Sequence, residues 1–366
     1  MDPKVHVPPQ FPGATSDATT PHPSDSGSRW IGPWWLPLAG VWTVILRLRH
    51  TLYDWGILPS QKGALPTLVV GNVELGGTGK TPHVLDAVRR LQTWCGADAV
   101  GILSRGYGRK TSGFLWVSEA ETWDQVGDEP WLMHSELPEV PVAVCEDRLT
   151  GLRRMAKDRP GLRVVVLDDG LQHRALAPDR SMALAARPYP SRGLRWGRVV
   201  PAGPWRDLPS RVFKASVAVD TTGQNPDLPL QSRAVASAPR CLHGNPVSNQ
   251  LDQPILLVTG IARPHRVLAS AKGHLVPLAA VAHYPDHHPF SPSDLSAWVA
   301  WMKDHGVDHV LTTPKDAVRI LPHAHLLDGL CLWTMSVHVE WETEPAYNAF
   351  LESWAHSLPS QSNRIS

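Results

Sequence analysis

Short apolar runs and helix-like stretches alternate along the chain from residue 67 onward. The apolar runs, each of a length typical of one strand, are Thr67–Gly71, Ala99–Leu103, Arg163–Leu167, Ser181–Ala185, Pro254–Gly260, Leu275–Ala282 and Asp308–Thr312. Helical spacing of apolar residues lies between them, at Lys80–Trp94 and Ser293–His305. Uninterrupted apolar strands separated by helices are typical of parallel sheets that are covered on both faces. The pattern therefore predicts an α/β fold whose sheet is mostly parallel.

Two stretches without apolar periodicity divide the chain. Residues 1–28 are rich in Pro, Ser, Thr, Asp and Gly, a composition that cannot offset the entropy lost on ordering. The segment 220–254 is polar and rich in Pro, and it separates the first α/β series from the second. We therefore expect a disordered tail at 1–28, an N-terminal helix at 29–58, a first α/β domain at 59–225 and a second, smaller one at 226–366.

The N-terminal helix is predicted from an apolar stretch that is rich in tryptophan. Trp30–Leu46 carries no formal charge, and Arg29 and Arg47 flank it. A membrane-spanning helix needs about 20 apolar residues, whereas Pro33 and Pro37 interrupt this stretch early. An interfacial helix, with Trp at the depth of the lipid headgroups and Arg on its polar face, fits better. A core helix and a true membrane span are the alternatives.

Charge and cysteine usage narrow the functional classes. Lys and Arg number 35 against 34 Asp and Glu, whereas dedicated nucleic-acid binders need a basic excess, so no nucleic-acid partner is expected. The 4 cysteines are far apart and include no C-x-x-C pair, which argues against a disulfide scaffold and a zinc finger. Widely separated cysteines suit a reducing compartment such as the cytoplasm.

A glycine-rich loop follows the first predicted strand and precedes its helix. In Gly76-Gly-Thr-Gly-Lys-Thr81, the glycines let backbone N–H groups close around phosphate oxygens, and the helix N-terminus adds a positive dipole. Lys80 can reach the β- and γ-phosphates, and Thr81 Oγ1 can bind Mg²⁺. The loop therefore predicts ATP or GTP binding, although Glu74 stands where the standard pattern has Gly, and a glycine-rich turn is the alternative. The candidate nucleotide-binding residues are Glu74, Leu75, Gly76, Gly77, Thr78, Gly79, Lys80 and Thr81.

Two adjacent carboxylates follow another buried strand. Asp168 and Asp169 come directly after Arg163–Leu167, and phosphate-loop proteins place an Asp at such a strand end to hold Mg²⁺. Adjacent carboxylates repel each other unless a cation or hydrogen bonds compensate. The sequence therefore predicts an Mg²⁺ site formed by this pair and Thr81, with Asp168 as the favoured ligand. A simple turn is the alternative, because Asp-Asp-Gly is common in turns.

Several separated motifs together resemble those of one family. They are Val70-Gly-Asn-Val-Glu-Leu-Gly-Gly-Thr-Gly-Lys-Thr-Pro82, Ser104-Arg-Gly-Tyr-Gly108, Val126-Gly-Asp-Glu-Pro130, Leu167-Asp-Asp-Gly-Leu-Gln-His173, Pro201-Ala-Gly-Pro-Trp-Arg206, Gly260-Ile-Ala-Arg-Pro264, Tyr284-Pro-Asp-His-His288 and Thr312-Thr-Pro-Lys-Asp316. In their order and spacing, over residues 30–350, the chain resembles the tetraacyldisaccharide 4′-kinases, the lipid A 4′-kinases of Gram-negative bacteria. The phosphate loop of that family is similar at Glu74 and also lacks the Gly.

The resemblance implies a reaction and its place. A kinase of this family transfers the γ-phosphoryl group of ATP, with Mg²⁺, to the 4′-hydroxyl of tetraacyldisaccharide 1-phosphate, and the product is the lipid A precursor lipid IVA. Because this lipid lies in the inner leaflet, we expect a peripheral or monotopic enzyme at the cytoplasmic face of the bacterial inner membrane. The N-terminal helix would contact the membrane surface, the first α/β domain would be a P-loop NTPase-like kinase domain, and no obligate protein partner is evident.

The resemblance also implies the catalytic residues. A sugar hydroxyl must lose a proton during attack, and a carboxylate near the γ-phosphate can accept it. Asp128 matches the catalytic Asp of the family, so we expect it to be the general base; by its flanking Gly and Pro alone, it could be an exposed turn. His287 matches the His that orients this Asp, although the adjacent His288 leaves the choice open. A zinc site or an ordinary surface loop is the alternative for this cluster.

Further polar residues are candidate contacts to phosphate or substrate. Arg offers a planar fork of donors that complements phosphate. The candidates are Arg105, Arg148, Gln172, His173 and Arg206 with Asp207, each of which could instead be structural. Lys315 and Asp316 are expected to form a helix cap and a salt bridge. A phosphate-loop NTPase that acts as a switch and a non-catalytic membrane-docking protein are the competing functions.

Overall fold

The chain folds into two units, each built on its own sheet. The computed structural model describes residues 11–15, 33–189, 199–246 and 251–359. The large unit comprises the described residues of Arg29–Val235 and His338–Ser366, and the small unit comprises those of Met1–Ser28 and Ala236–Val337. Both sheets are mostly parallel and alternate with helices along the chain, which confirms the predicted α/β fold class.

Strands and helices follow one another through both units. The strands, in chain order, are Thr67–Asn72 (β1), Val100–Ser104 (β2), Leu115–Trp116 (β3), Val142–Val144 (β4), Val164–Asp168 (β5), Arg180–Ala185 (β6), Val217–Asp220 (β7), Leu230–Ala236 (β8), Arg240–His243 (β9), Ile255–Thr259 (β10), Leu278–His283 (β11), His309–Thr312 (β12), Cys331–Thr334 (β13) and Val337–Trp341 (β14). The α-helices are Leu36–Asp54 (α1), Lys80–Cys95 (α2), Trp123–Val126 (α3), Asp128–Glu136 (α4), Arg148–Asp158 (α5), Pro264–Gly273 (α6), Pro292–His305 (α7), Pro314–Ile320 (α8) and Glu344–Ser357 (α9). Short 3₁₀ helices lie at Pro33–Trp35, Ala97–Ala99, Pro209–Lys214 and Leu321–Leu327.

The large unit is built on a nine-stranded sheet with the order β14-β8-β7-β6-β1-β5-β2-β4-β3. β1 runs parallel to both of its neighbours, so that Val70 lies opposite Asp168 on β5 and Met182 on β6. β2 continues the parallel pairing beyond β5, and β3 pairs antiparallel with β4 at the edge. Because parallel strands end at one edge of a sheet, the loops that follow β1, β2 and β5 lie side by side.

Helices cover both faces of this sheet. Leu68 and Val70 of β1 lie in one buried cluster with α2, whereas Val69 lies in another with Leu152 and Met155 of α5. This alternation follows from the two-residue period of a strand. The continuous apolar character of β1 therefore reflects burial on both sides, as its sequence predicts.

The chain returns to the large unit after the small one. β14 lies beside β8 at the edge of the nine-stranded sheet, and Tyr347, Leu351 and Trp354 of α9 are buried in the cluster that includes α2. The rings of Trp341 and Tyr347 stack with 3.7 Å between their centroids. The expected second domain, 226–366, therefore includes segments at both ends that belong to the large unit. No linker-like composition marks this return, and the helix that α9 packs against lies far earlier in the chain.

The small unit has a five-stranded sheet with the order β11-β10-β12-β13-β9. β10 runs parallel to β11 and β12, and β12 runs parallel to β13, while β9 runs antiparallel to β13. Phe290, Trp298 and Met302 lie in one buried cluster with Leu256 and Val258 of β10. Large aromatic side chains thus fill the space between this sheet and α7.

Residues 11–15 depart from the disorder predicted for 1–28. Phe11 is buried in the core of the small unit, edge-on to Trp301 with 6.2 Å between ring centroids. Thr15 exchanges two backbone hydrogen bonds of 2.7 Å with His283, at the end of the edge strand β11. One aromatic anchor and a strand edge therefore order a segment whose composition predicts disorder. The other residues of the predicted tail lie outside the described residues.

α1 corresponds to the apolar N-terminal stretch and buries only a narrow face. Ala39, Thr43, Leu46 and His50 are buried. The exposed apolar residues of the helix are Leu36, Leu38, Val41, Trp42, Val44, Ile45 and Leu48. Among the helices of the described residues, none has the length and apolar character that crossing a bilayer requires. Residues 29–32 of the predicted helix lie outside the described residues.

Candidate active site

The glycine-rich loop connects β1 to α2 at the carboxyl edge of the large sheet. Gly76 and Gly79 have φ angles of +94° and +80°, which residues with a Cβ rarely adopt. A Cβ placed on Gly77 would meet no atom within 4 Å, so the loop borders open space there. Asn72 Nδ2 donates a 2.8 Å hydrogen bond to Thr78 Oγ1, which fixes the loop to the end of β1. The arrangement presents backbone N–H groups and the first turn of α2 to an anion.

Asp168 ends β5, the strand next to β1. Ser104 Oγ, at the end of β2, donates a 3.1 Å hydrogen bond to Asp168 Oδ2. Asp168 Oδ1 is buried and has no hydrogen-bond partner within the described residues. Burial, together with the negative charges of Glu129 and Asp169, raises the pKa of Asp168 to about 7. The hydrogen bonds of Asp168 therefore do not compensate the negative charge that surrounds it.

Asp169, the next residue, is held differently. Its φ of +54° lies in the left-handed region, which Asp tolerates better than most residues. Arg206 donates to both of its carboxylate oxygens, with 2.7 Å between Nη1 and Oδ2. Lys80 Nζ lies 3.8 Å from the same Oδ2. Although burial opposes ionisation, the hydrogen bonds from Arg206 and the charge of Lys80 hold the pKa of Asp169 below its ordinary value.

Arg206 and Gln172 connect the loops around the Asp pair. The guanidinium of Arg206 also donates to the backbone oxygen of Asn72, 3.1 Å from Nη2, and to its side-chain oxygen. Gln172 Nε2 donates to the same backbone oxygen at 2.8 Å. The backbone N–H of Arg206 donates to Val73 O at 3.0 Å. Both candidate phosphate contacts thus hold the end of β1 against the Asp pair.

A second acidic pair, Asp128 and Glu129, begins α4. Asp128 is 5% exposed, and its Oδ1 accepts a 2.9 Å hydrogen bond from the N–H of Glu129. Gly127 precedes the pair with a φ of +99°, and a Cβ there would lie 3.3 Å from Gly106 Cα in the loop after β2. The two loops touch where each has a glycine. Glu129 is a functional candidate that the motif analysis did not indicate, although its place beside Asp128 is a signal for it.

The acidic residues of the large unit fit a divalent cation. Asp168 has an unpartnered buried oxygen and a raised pKa, both of which a positive charge would relieve. Thr81, in the first turn of α2, adds a hydroxyl of the kind that Mg²⁺ accepts. Within the described residues, no group of three or more His, Cys, Asp or Glu side chains forms a metal site by itself. Phosphate oxygens and water would therefore supply most ligands of an ion here, as is usual for Mg²⁺.

The other candidate phosphate contacts differ in exposure. Arg148 is buried and donates to the backbone oxygens of Cys145 and Asp168 at 2.6 and 3.3 Å, and burial lowers its pKa. Arg105 is exposed in the loop after β2. His173 Nε2 has no hydrogen-bond partner in the part of the chain that is described, and burial with the charge of Arg148 lowers the pKa of His173. Arg148 therefore supports the backbone, which leaves Arg105 and His173 as the candidates for ligand contact.

His287 lies in the small unit, in the loop after β11. Its φ is +62°, and its backbone N–H donates to Gly260 O at 3.1 Å. Its Nε2 lies 3.3 Å from Lys315 Nζ and 3.8 Å from Asp286 Oδ2. The contact with Lys315 is one that the sequence patterns did not indicate. A strained backbone thus presents His287 between a cation and an anion.

The neighbouring His288 has a different environment. Its Nε2 lies 3.0 Å from Asp294 Oδ2, and its ring stacks on Tyr284 with 4.5 Å between centroids. The side chain of His287 is 41% exposed, against 22% for His288. Of the two, His287 is therefore the one more accessible to a ligand.

Known proteins share both the motifs and the fold of this chain. The family model of tetraacyldisaccharide-1-P 4′-kinase (LpxK) matches residues 31–356. The chain belongs to this family. The tetraacyldisaccharide 4′-kinase of Polaromonas naphthalenivorans is 34% identical over 340 residues, which cover 91% of this chain and 93% of that protein. The enzyme of the same name from Phocaeicola vulgatus is 31% identical over 324 residues, 81% of this chain and 85% of its own.

A solved LpxK structure extends the likeness to three dimensions. The crystal structure of LpxK from Aquifex aeolicus, determined in complex with ATP, has a TM-score of 0.70 and 27% sequence identity, and covers 88% of this chain and 98% of that chain. The resemblance stated from the motifs is confirmed, and so is the enzyme class: the protein is a kinase of lipid A biosynthesis.

Within the large unit, Glu74 holds the phosphate loop to a neighbouring strand. Glu74 is 1% exposed, and its Oε1 accepts a 2.9 Å hydrogen bond from the N–H of Ala186, directly after β6. Its Oε2 lies 3.5 Å from Arg187 Nε. Leu75 donates its N–H to Pro204 O at 2.8 Å. The carboxylate of Glu74 thus contacts the protein, and binding of this residue to the nucleotide stays a prediction.

His83, which no motif singled out, anchors the phosphate loop of this kinase from inside α2. Its Nδ1 lies 2.7 Å from Gly79 O, and its Nε2 lies 2.9 Å from Ser232 Oγ on β8. The ring of Trp341 on β14 is edge-on to it at 5.5 Å. Its position one helical turn after the loop was the available signal, because a residue there faces the loop's last carbonyl.

Proposed function

We propose that the protein transfers the γ-phosphoryl group of ATP to the 4′-hydroxyl of tetraacyldisaccharide 1-phosphate. The product would be lipid IVA, formed at the cytoplasmic face of the bacterial inner membrane. Family membership supports the acceptor, and the ATP complex of the Aquifex aeolicus relative supports the donor. The observation that carries the proposal is the phosphate loop beside Asp168, whose buried carboxylate is arranged for a cation.

The phosphate loop and Lys80 bind the triphosphate. Backbone N–H groups at 76–79 and the N-terminus of α2 surround the β- and γ-phosphates. Lys80 Nζ, 3.8 Å from Asp169 Oδ2, brings a positive charge to the carboxyl edge of the sheet. That charge offsets the negative charge spread over the transferred oxygens.

Thr81, Asp168 and Asp169 are the residues that would hold Mg²⁺. When bound, the ion supplies positive charge that stabilises the phosphoryl oxygens. Asp168 is the direct ligand in this assignment, because its Oδ1 has no other partner within the described residues. Asp169 is already paired with Arg206, so it acts through the shared charge or through water.

Asp128 is the proposed acceptor of the proton of the attacking hydroxyl, and the family resemblance assigns His287 the role of assisting it. Asp128 lies in the first turn of α4, at the positive end of the helix dipole. Activity of the variants Asp128→Asn, His287→Ala and the double variant tests the pair. Residues that act as a unit give a double variant no worse than the worse single one, whereas independent residues give losses that multiply.

The exposed apolar face of α1 docks on the lipid bilayer. Trp34 is 90% exposed and Trp55 is 74% exposed at the two ends of this helix, and Leu38, Val41 and Leu48 lie more than half exposed between them. An amphipathic helix of this kind lies in the headgroup region with its apolar face toward the acyl chains. Replacing Val41 by Asp should reduce co-sedimentation with phosphatidylglycerol vesicles. The same substitution should not alter ATP binding in their absence.

Phosphoryl transfer in detergent micelles tests the proposed reaction. Labelled ATP and Mg²⁺ are incubated with tetraacyldisaccharide 1-phosphate and either wild type, Asp128→Ala or the matched control Asp124→Ala. Asp124, on α3, pairs with Lys110 instead. Labelled lipid with wild type and Asp124→Ala, with a loss of about 10²-fold for Asp128→Ala, supports the reaction and the base. Equal product from all three removes Asp128 from the mechanism. No lipid product from folded, ATP-binding wild type overturns the reaction in favour of an NTPase switch.

A further inference from the structure

We propose that α1 is also a support of the nucleotide site. His50 is a positioning residue that fixes Arg206, and through it Asp169, by means of a buried hydrogen bond to Asp207. This inference rests on the proposed function, because it concerns the site that binds ATP. It assigns to the helix a role that its exposed apolar face does not explain.

The first step is the contact between the helix and Asp207. His50 Nε2 lies 2.6 Å from Asp207 Oδ1, and the two residues are 4% and 1% exposed. Arg174 Nη1 donates to His50 O at 3.0 Å and lies 3.4 Å from His50 Nδ1. Nδ1 therefore faces a donor, and Nε2–H donates to the carboxylate. Burying such a pair costs free energy that apolar packing of the helix alone would not require.

The second step runs from Asp207 to the phosphate loop. The consecutive N–H groups of Arg206 and Asp207 both donate to Val73 O, at 3.0 and 3.3 Å. Asp207 Oδ1 also accepts a 2.7 Å hydrogen bond from the N–H of Leu208. The carboxylate that His50 holds thus fixes the backbone from which the Arg206 guanidinium extends to Asp169.

A parallel contact reaches the other side of the Asp pair. Arg49 Nη2 donates to Gln172 O at 2.9 Å, and the side chain of Gln172 donates to Asn72 O at 2.8 Å. Arg174, two residues on, is paired with Asp54 of α1 at 2.8 Å. The polar face of α1 therefore touches both segments that flank Asp168 and Asp169.

Calorimetric titration of ATP with Mg²⁺ into the full-length protein tests the inference. His50→Ala should weaken ATP binding by about tenfold, because a hydrogen bond to a buried carboxylate is lost. His50→Gln should recover most of the affinity, since its amide N–H can donate to Asp207. The matched control is Thr43→Ala, since Thr43 is buried on the same helix but bonds only within it, to Ala39 O at 2.6 Å. In the kinase assay, the KM for ATP should rise while the KM for the lipid acceptor stays unchanged.

Three results would overturn the inference. One is an ATP affinity of His50→Ala equal to that of wild type. Another is an equal loss in His50→Ala and Thr43→Ala, which would mean that the helix contributes only general stability. The third is failure of wild type to bind ATP, which would overturn the proposed function as well. If His50→Ala does not fold, His50→Leu decides, because leucine fills much of the space of the ring but has no donor for Asp207; wild-type affinity in that variant excludes the role of the hydrogen bond.

Discussion

Each unit buries an aspartate at the carboxyl edge of its parallel sheet, but the two carboxylates are satisfied differently. In the small unit, Asp316 Oδ2 accepts hydrogen bonds from Gly260 N at 3.1 Å and Thr313 Oγ1 at 2.7 Å, and Arg319 donates to Oδ1 at 2.5 Å. In the large unit, Asp168 accepts one bond from a serine, and its other oxygen has no partner within the described residues.

The difference distinguishes a buried carboxylate whose hydrogen bonds are complete from one that is incompletely paired. Burial raises the pKa of both Asp168 and Asp316. At Asp316, three donors complete the hydrogen bonding of the carboxylate, and one of them, Arg319, also brings a positive charge. At Asp168, the charges of Glu129 and Asp169 add to the cost of ionisation. A buried acid with an open oxygen and like-charged neighbours is therefore the one arranged to receive a cation.

The largest expected effect tests the open carboxylate. Asp168→Asn should lower kcat/KM for phosphoryl transfer by about 10²-fold or more if Asp168 holds Mg²⁺ as proposed, because the substitution removes the negative charge of that ligand. The melting temperature without ligands should not fall, since the carboxylate removed is poorly compensated. Activity close to that of wild type would contradict a role for Asp168 in phosphoryl transfer.

The complete hydrogen bonding of Asp316 predicts the opposite outcome. Asp316→Asn should lower the free energy of unfolding of the small unit by about 3 kcal/mol, because the fully buried Arg319 loses its charged partner. Urea unfolding followed by tryptophan fluorescence measures this, since Trp298 and Trp333 are buried in the same unit. A loss below about 1 kcal/mol is typical of surface ion pairs, and it would contradict the role of Asp316 and Arg319 as a buried, stabilising pair.

Ligand binding should sharpen the contrast further. At a hundredfold excess over Kd, ATP with Mg²⁺ should stabilise the wild type by about 3 kcal/mol through mass action. Asp168→Asn should lose most of this gain, whereas Asp316→Asn should keep it. Calorimetric melting with Mg²⁺, and again with a chelator, measures both variants. Equal gains in the two variants would show that Asp168 does not bind the metal.

The smallest expected effect concerns His83, a satisfied buried group of the large unit. Burial lowers the pKa of His83 below the ordinary 6.5. As the pH falls, His83 is therefore protonated in the unfolded chain before it is protonated in the folded one. Its contribution to the free energy of unfolding is complete above pH 6.5 and is lost as the pH falls below that value. In urea unfolding at several pH values, the free energy of unfolding of His83→Gln should fall less steeply at acid pH than that of the exposed control His356→Gln. An equal pH dependence of the free energy of unfolding in the two variants would show that folding does not change the titration of the His83 ring.

Local pattern was enough to predict the elements around the phosphate loop. The predicted strand at 67–71 and helix at 80–94 each match β1 and α2 to within one residue. A loop between a strand and a helix has its backbone fixed by nearby glycines, so its geometry is contained in one short segment. The candidate role of Asp168 followed for the same reason, because it ends a continuous apolar strand.

What lay beyond local pattern was the order of the strands. Ser104 and Asp168 are distant in the sequence and come together because β2 and β5 are neighbours in the sheet. Periodicity shows that a strand exists but not which strand lies beside it. The support that His50 gives to Asp207 was hidden for the same reason, since it joins α1 to a segment 157 residues later.

The return of the chain to the large unit affects how the protein can be synthesised. Ser237 N–H donates to Ser336 O at 2.8 Å, so the two ends of the small unit's main segment meet, as in a domain inserted into a surface loop of another. The small unit's segments have all left the ribosome once residue 337 has emerged. The large unit still lacks most of β14 and all of α9, which supplies Tyr347 and Trp354 to the core around α2. We therefore expect the large unit, which carries the phosphate loop, to be completed only after the small unit, although most of it is made first.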